Sequence, residues 1–262
     1  MALPVRPLFV AALATLSLAL LPGCRIVNGS GNSDEKTIEV DSDGVDTIEV
    51  ASGLEVHAEI GTSHSVRIAG DDNLIDEVSV KVLDHSLKID WIDTNAVYGP
   101  TEPMVIQVEV PELEVVRSSG GATVVVGDLE TPSLSLESSG GGETRFESLV
   151  CPDVSLSTSG GGDTVIEALS GEELRVSSSG GGIWELAGTA TAMFIDMSGG
   201  GNLEASELEV SEVNLSMSGG GRAELSVSDT ITGAASGGGV IVVHGDPEQS
   251  VSLSGGSTLT LE

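Results

Sequence analysis

The residues that could do chemistry in this chain come in register. Glu143 and Glu147 are followed twenty positions later by Asp163 and Glu167. Carboxylate oxygens gathered this way can hold Ca²⁺, a hard cation that takes roughly six to eight oxygen ligands. Arg145 lies in their midst and can instead neutralise them. A pair of carboxylates in a cleft is also what glycoside hydrolysis requires. A second set is neutral: Ser139, Ser157, Ser159, Ser177, Ser179 and Ser216 recur at outward positions of one strand column. Such a hydroxyl-rich stripe is either a plain solvated face or a binding face for an extended polysaccharide or another envelope or surface protein. The third group is sulfur. Leu21-Pro22-Gly23-Cys24 closes an apolar run from Leu8 to Leu21. The run is short for a bilayer span and has the form of a secretory signal. Its end resembles a bacterial lipobox, with Cys24 as the lipidated residue. Cys151, next to Pro152, has no histidine near it in sequence and reads as a small buried hydrophobe rather than a nucleophile.

What positions these residues is a repeat. Ser-Gly followed by further glycines recurs at Ser119, Ser139, Ser159, Ser179, Ser198, Ser218, Ser236 and Ser254, at spacings of 18 to 20 residues. Around each marker, apolar residues alternate with polar ones. Leu136, Leu156 and Val176 lie three before it; Val126, Phe146, Ile166, Leu186 and Leu225 lie seven after. Residues two apart share a face of a strand. Each repeat therefore holds two short strands joined by a glycine corner. Pro132, Pro152 and Pro247 recur seven before their serines, where a missing N–H is harmless only outside a ladder. About 20 residues cannot enclose a core alone, so successive repeats must stack in parallel. The expected fold is all-β: a right-handed parallel β-helix, or β-solenoid, with coils of about 20 residues.

The chain divides into four segments. Residues 1–23 are a lipoprotein signal peptide, and 24–36, rich in Asn, Gly and Ser, a flexible tether. Residues 37–112 carry β segments without the marker and form an irregular N-terminal β cap, in which Asp72 to Asp76 is a helical turn. Residues 113–262 are the repeats, continuous with the cap. The loop from Asp93 to Pro103, with Tyr98, is a candidate recognition loop.

Composition restricts the function. The formal net charge is −31, from 10 basic and 41 acidic side chains. This surface repels nucleic acid and anionic lipid heads and attracts cations or basic partners. Only 2% of residues are aromatic, which leaves few rings for stacking on sugars. A polysaccharide-cleaving enzyme is the rival reading, because β-helices host such activities. Against it, Arg145, Arg175 and Arg222 fall in different columns, the repeats hold no lysine, and His57, His64, His85 and His244 are scattered.

The order Val-x-Ile, Asp-Asn-Leu-Ile, Val-x-Val, Leu-x-Ile and Val-x-Val-Pro-x-Leu, followed by Ser-Gly-Gly repeats, resembles the autotransporter-adhesin head, or GIN, domain family over roughly residues 37–240. Members often carry Gly-Ser-Gly-Asp where this chain has Ser-Gly-Gly-Gly, and Glu143 and Asp163 sit close to that acidic position. The resemblance implies an exported, non-enzymatic domain and brings no catalytic residues. The expectation is a lipoprotein of the cell envelope, on the outer membrane in a Gram-negative organism. It uses no cofactor other than that candidate Ca²⁺, and its partners are the membrane, through the lipid, and a polysaccharide or envelope protein.

Overall fold

The structure, a computed structural model, describes residues 25–40 and 44–262. The signal segment and Cys24 lie outside the described residues. In chain order, β1 (Ile26–Asn28) and β2 (Ser33–Glu39) precede β3 (Thr47–Val50) and β4 (Glu55–Ile60). Then come β5 (Ser65–Asp71), the one-turn helix α1 (Asp72–Ile75), β6 (Val78–Leu83), β7 (Ser86–Trp91), β8 (Val97–Gly99) and β9 (Val105–Val110). The repeats supply β10 (Val115–Gly120), β11 (Thr123–Glu130), β12 (Ser133–Gly140), β13 (Glu143–Val150), β14 (Asp153–Thr158), β15 (Asp163–Ser170) and β16 (Glu173–Ser178). Long strands β17 (Ile183–Met197), β18 (Asn202–Gly219) and β19 (Arg222–Gly237) run through a corner, and β20 (Val240–His244), β21 (Glu248–Leu253) and β22 (Thr258–Leu261) close the chain.

These strands wind into a β-solenoid of about seven turns, about 20 residues apart. One face stacks β7, β3, β10, β12, β14, β16, the second halves of β17 to β19, and β21, all in parallel. The other stacks β9, β4, β11, β13, β15, the first halves of β17 to β19, β20 and β22. Leu136 lies opposite Leu156, and Leu156 opposite Val176, as the spacing requires. All three are buried, as are Val126, Phe146, Ile166, Leu186 and Leu225. The core is not wholly apolar: Ser118, Ser138, Thr158 and Ser178 form an inward column beside the glycine corner, and Ser118 Oγ donates to Ser138 Oγ at 3.2 Å. Pro132 and Pro152 fall between strands; Pro152 offers its carbonyl to the N–H groups of Glu172 and Glu173.

The corner itself is hydrogen-bonded from coil to coil. The middle glycine of a Gly-Gly-Gly donates to the first glycine of the coil before in successive coils: Gly141 to Gly120 at 2.8 Å, Gly161 to Gly140 at 2.8 Å, Gly181 to Gly160 at 2.9 Å. This brings each first-glycine carbonyl against the α-carbon of its successor. A Cβ on Gly160 would collide with the backbone of Gly140, whereas one on Gly161 meets nothing within 4 Å.

Stacking order and chain order part company at the start. The first coil, β3 and β4, lies between β7/β9 on one side and β10/β11 on the other. The chain therefore builds one coil beneath the first before it crosses to continue above. Antiparallel strands close this end: β6 pairs with β7, β5 with β9, and β2 with β5. The helical turn α1 leads from β5 into the β6–β7 hairpin.

The stretch 24–36, expected as a flexible tether, is instead tied down from Arg25 on. β1 pairs with β8, and β2 with β5. Composition misleads because the partners lie far off in sequence: Arg25 pairs with Glu77 at 3.0 Å and Lys36 with Asp76 at 2.6 Å. Asp71 is fully buried and accepts N–H donors from Gly31 at 2.7 Å, Thr101 at 2.7 Å and Glu102 at 3.0 Å. Ser30 N–H donates to Asn73 at 2.8 Å, and Asn73 returns a bond to the Asn28 carbonyl at 2.9 Å. Burial alone would raise the Asp71 pKa, but the three backbone donors outweigh it and hold the carboxyl below its ordinary value.

The corner and the Asp71 knot can each be tested by substitution. Gly160→Ala lowers stability by about 1–3 kcal/mol through overpacking. Gly161→Ala is neutral or stabilises by about 0.4–1 kcal/mol through a stiffer unfolded chain. Urea unfolding of the two variants separates them; equal effects would contradict the stacked corner. For Asp71 the depressed pKa means that its stabilisation is complete above the ordinary value of 3.8 and is lost as pH falls through the lower, folded value. Hydrogen exchange at the Gly31, Thr101 and Glu102 amides is therefore slow at neutral pH and accelerates only well into acid. In Asp71→Asn it is fast throughout.

Candidate functional site

The outward side of the first face carries a broad concavity. One wall is the β6–β7 hairpin. β6 and β7 form a tight hairpin whose two turn residues, Asp84 and His85, have φ of 49° and 65°, the left-handed pair that matches strand twist. β6 alternates: Val78, Val80 and Val82 turn toward the core, while Ser79, Lys81 and Leu83 line a groove. The groove holds about 750 Å³. It continues over Lys88 and Asp90 of β7, Ile92, Glu49 of β3, Arg117 of β10 and Glu137 of β12, and ends on Ser139, Ser157 and Ser159.

All six serines of the expected face are exposed. Ser157 lies beside Ser177 in adjacent strands, and Ser177 beside Asp196, which is beside Ser216. Ser139, Ser157 and Ser159 enter the groove; Ser177, Ser179 and Ser216 carry the same face onward along the solenoid. The hydroxyls repeat at the inter-strand step of about 4.8 Å.

Sequence reasoning does not pick out the groove's charges. Glu49 takes Lys88 at 2.7 Å and Arg117 at 3.3 Å, and Arg117 also reaches Glu137 at 3.0 Å. The Lys88 ammonium beside Glu49, with Arg117 further off, holds that carboxyl below the usual range. Lys81, exposed on the wall, forms no ion pair among the described residues. Lys81 and Lys88 are two of only three lysines in the chain, and that scarcity was the available signal. Leu83 and Ile92 leave apolar surface at the same wall, exposed by 54% and 62%.

The four carboxylates behave differently. Glu143 and Asp163 are in register on adjacent strands. Arg145 forms an ion pair with Glu167 and stands 4.0 Å from Glu143. Asp163 instead accepts the Ile183 N–H at 3.0 Å. Among the described residues, no three His, Cys, Asp or Glu side chains come together as a metal site. Of the two readings of this cluster, the geometry matches neutralisation by arginine. Arg175 pairs with Glu173 and lies over the Phe194 ring at 5.4 Å, and Arg222 pairs with Glu224 at 2.8 Å. The loop with Tyr98 is tied into the cap: β8 pairs with β1, and Tyr98 stacks on Trp91 with ring centres 4.0 Å apart. Cys151 is buried, and its thiol donates to the Asp153 carbonyl at 3.2 Å. Burial pushes that thiol's pKa up.

Residues 44–247 match the family described as "Putative auto-transporter adhesin, head GIN domain". The chain belongs to this family. Solved structures similar to this GIN domain include a putative adhesin from Parabacteroides merdae ATCC 43184, 22% identical with a TM-score of 0.82, covering 91% of this chain and 100% of that one. A putative adhesin from Parabacteroides distasonis ATCC 8503 is 21% identical with a TM-score of 0.78, over 90% of this chain and 100% of that one. One from Bacteroides fragilis NCTC 9343 is 25% identical with a TM-score of 0.69, over 90% and 100%. No curated protein matches the chain. Family and fold together support an adhesin-like role and an exported or surface protein.

The buried thiol can be read directly. In the folded GIN domain at neutral pH, Cys151 resists a thiol reagent such as a maleimide, and it reacts fully in denaturant. Mass spectrometry before and after unfolding reads the difference.

Proposed function

We propose that this chain is a non-enzymatic lipoprotein of the cell envelope that binds an extended polysaccharide along its serine face. The supporting observation is the hydroxyl ladder that runs into the groove at Lys81. An extended glycan aligned with the solenoid axis would meet a pair of serines on the coils of Ser157 and Ser177, flanked in the same column by the carboxylates Glu137 and Asp196. Leu83 and Ile92 offer apolar surface to a sugar ring, and Lys81 offers an uncommitted cation to a sugar carboxylate.

Lipidation at Cys24 suits the structure of the next residues. β1 and the Asp71 knot begin within a few residues of that cysteine. A lipid there would hold the capped end of the solenoid close to the membrane and project the serine face away from it.

Full chain is tested on immobilised neutral and carboxylated polysaccharides. Binding is expected, strongest for a neutral polymer, with a carboxylated one held only where Lys81 offsets the acidic surface. Ser157→Glu with Ser177→Glu weakens all binding tenfold or more, and Lys81→Glu weakens only the carboxylated arm. Binding that ignores all three changes would refute the face. Release of reducing or unsaturated sugar ends would replace the binding role with a polysaccharide-cleaving one.

A further inference from the structure

The two ends of the solenoid are not alike. At the start, antiparallel strands β6, β5 and β2 cover the coil edges. At the other end, β21 pairs only with β19, and β22 only with β20. Among the described residues nothing pairs with their outer sides. Ten residues of strand therefore present a parallel edge whose outward backbone donors and acceptors are unpaired among the described residues.

Such an edge is normally guarded by charge, by proline or by a bulge. Here the guard is confined to one corner: Glu248 opens β21 directly after Pro247, and the rest of the edge has neither charge nor proline. From Gln249 to Leu261 there is no Asp, Glu, Lys or Arg, and none from Thr230 to Gly245. Charges nearby are Asp246 just before β21, Glu248 at its first position and Glu262 just after β22. Every earlier coil of the repeats carries acidic side chains. Leu253 and Leu261 are exposed by 44% and 38%, and Val251 and Leu259 are only partly buried.

We infer that this end is the contact surface for a second copy of the same chain. In a molecule of net charge −31, two copies repel wherever their acidic coils approach. The last two coils are where that repulsion is weakest and where unpaired backbone is available. Tail-to-tail docking about a two-fold axis sets the edge strands of the two copies antiparallel and covers the leucines. Because the opposite end is capped, the contact is isologous and closes at two copies rather than growing into a filament. The inference is independent of any glycan bound on the serine face.

Sedimentation of the purified full chain over a concentration series in mild detergent tests it. The expected species is a dimer, with amides of β21 and β22 exchanging more slowly as concentration rises. Ser252→Glu with Thr260→Glu changes two exposed side chains at the edge and weakens self-association tenfold or more while the circular dichroism spectrum stays unchanged. The pair Ser157→Glu and Ser177→Glu, on the serine face, leaves the dimer intact. A monomer at all concentrations, an unlimited polymer, or a dimer indifferent to the edge substitutions would each overturn the inference, and a misfolded variant leaves the wild-type mass and exchange data to decide it.

Discussion

The hydrogen bond from one coil's middle glycine to the first glycine of the coil before it is the contact on which the rest of the solenoid depends. Strands keep their spacing through the ladder; a corner has to match that spacing while the chain reverses direction. Here the ladder is carried through the turn, from Gly161 to Gly140 and from Gly181 to Gly160. The first glycine is then excluded from having a side chain by the carbonyl beneath it, and the middle one is left free. Side-chain columns on both faces inherit their alignment from that corner. The buried stack Leu136, Leu156 and Val176 and the exposed neighbours Ser157 and Ser177 are two sides of the same register.

That shared register makes much of the repeat region legible in the sequence. Alternation at period two says which side chains face inward, and a constant spacing says which meet across coils. Both are local or additive signals. The cap is different in kind. Asp71 is one acidic residue among many until Gly31, Thr101 and Glu102 are brought to it from both sides in sequence. The stretch after Cys24 reads as a linker for the same reason: its partners lie about forty residues or more away. The groove is hidden because its wall is the β6–β7 hairpin turning at Asp84 and His85, where Lys81, Leu83 and Ile92 follow no repeat. For the carboxylates, spacing brings Glu143 and Asp163 together, but the reach of Arg145 across to Glu167 decides what they do.

Charge is distributed along the axis in step with these differences. The capped end gathers the lysines and carries ion pairs such as Lys88 with Glu49 and Lys36 with Asp76. The middle coils are acidic, each with its few arginines matched to carboxylates. The last two coils are almost free of charge. A rod of identical repeats would have no direction; this gradient supplies one, and with it a distinct role for each end and for the flat side between them.

The sandwiched position of β3 and β4 bears on the order in which the molecule can form. A purely serial solenoid could add each coil as soon as its residues leave the ribosome or the export channel. In this chain the founding coil waits twice. Its lower neighbour is supplied only at β7 and β9, and its upper one only at β10 and β11. The founding coil therefore has both of its neighbours only once the chain has reached Glu130, roughly half its length. Thereafter growth is coil by coil, with each new turn finding its template already in place.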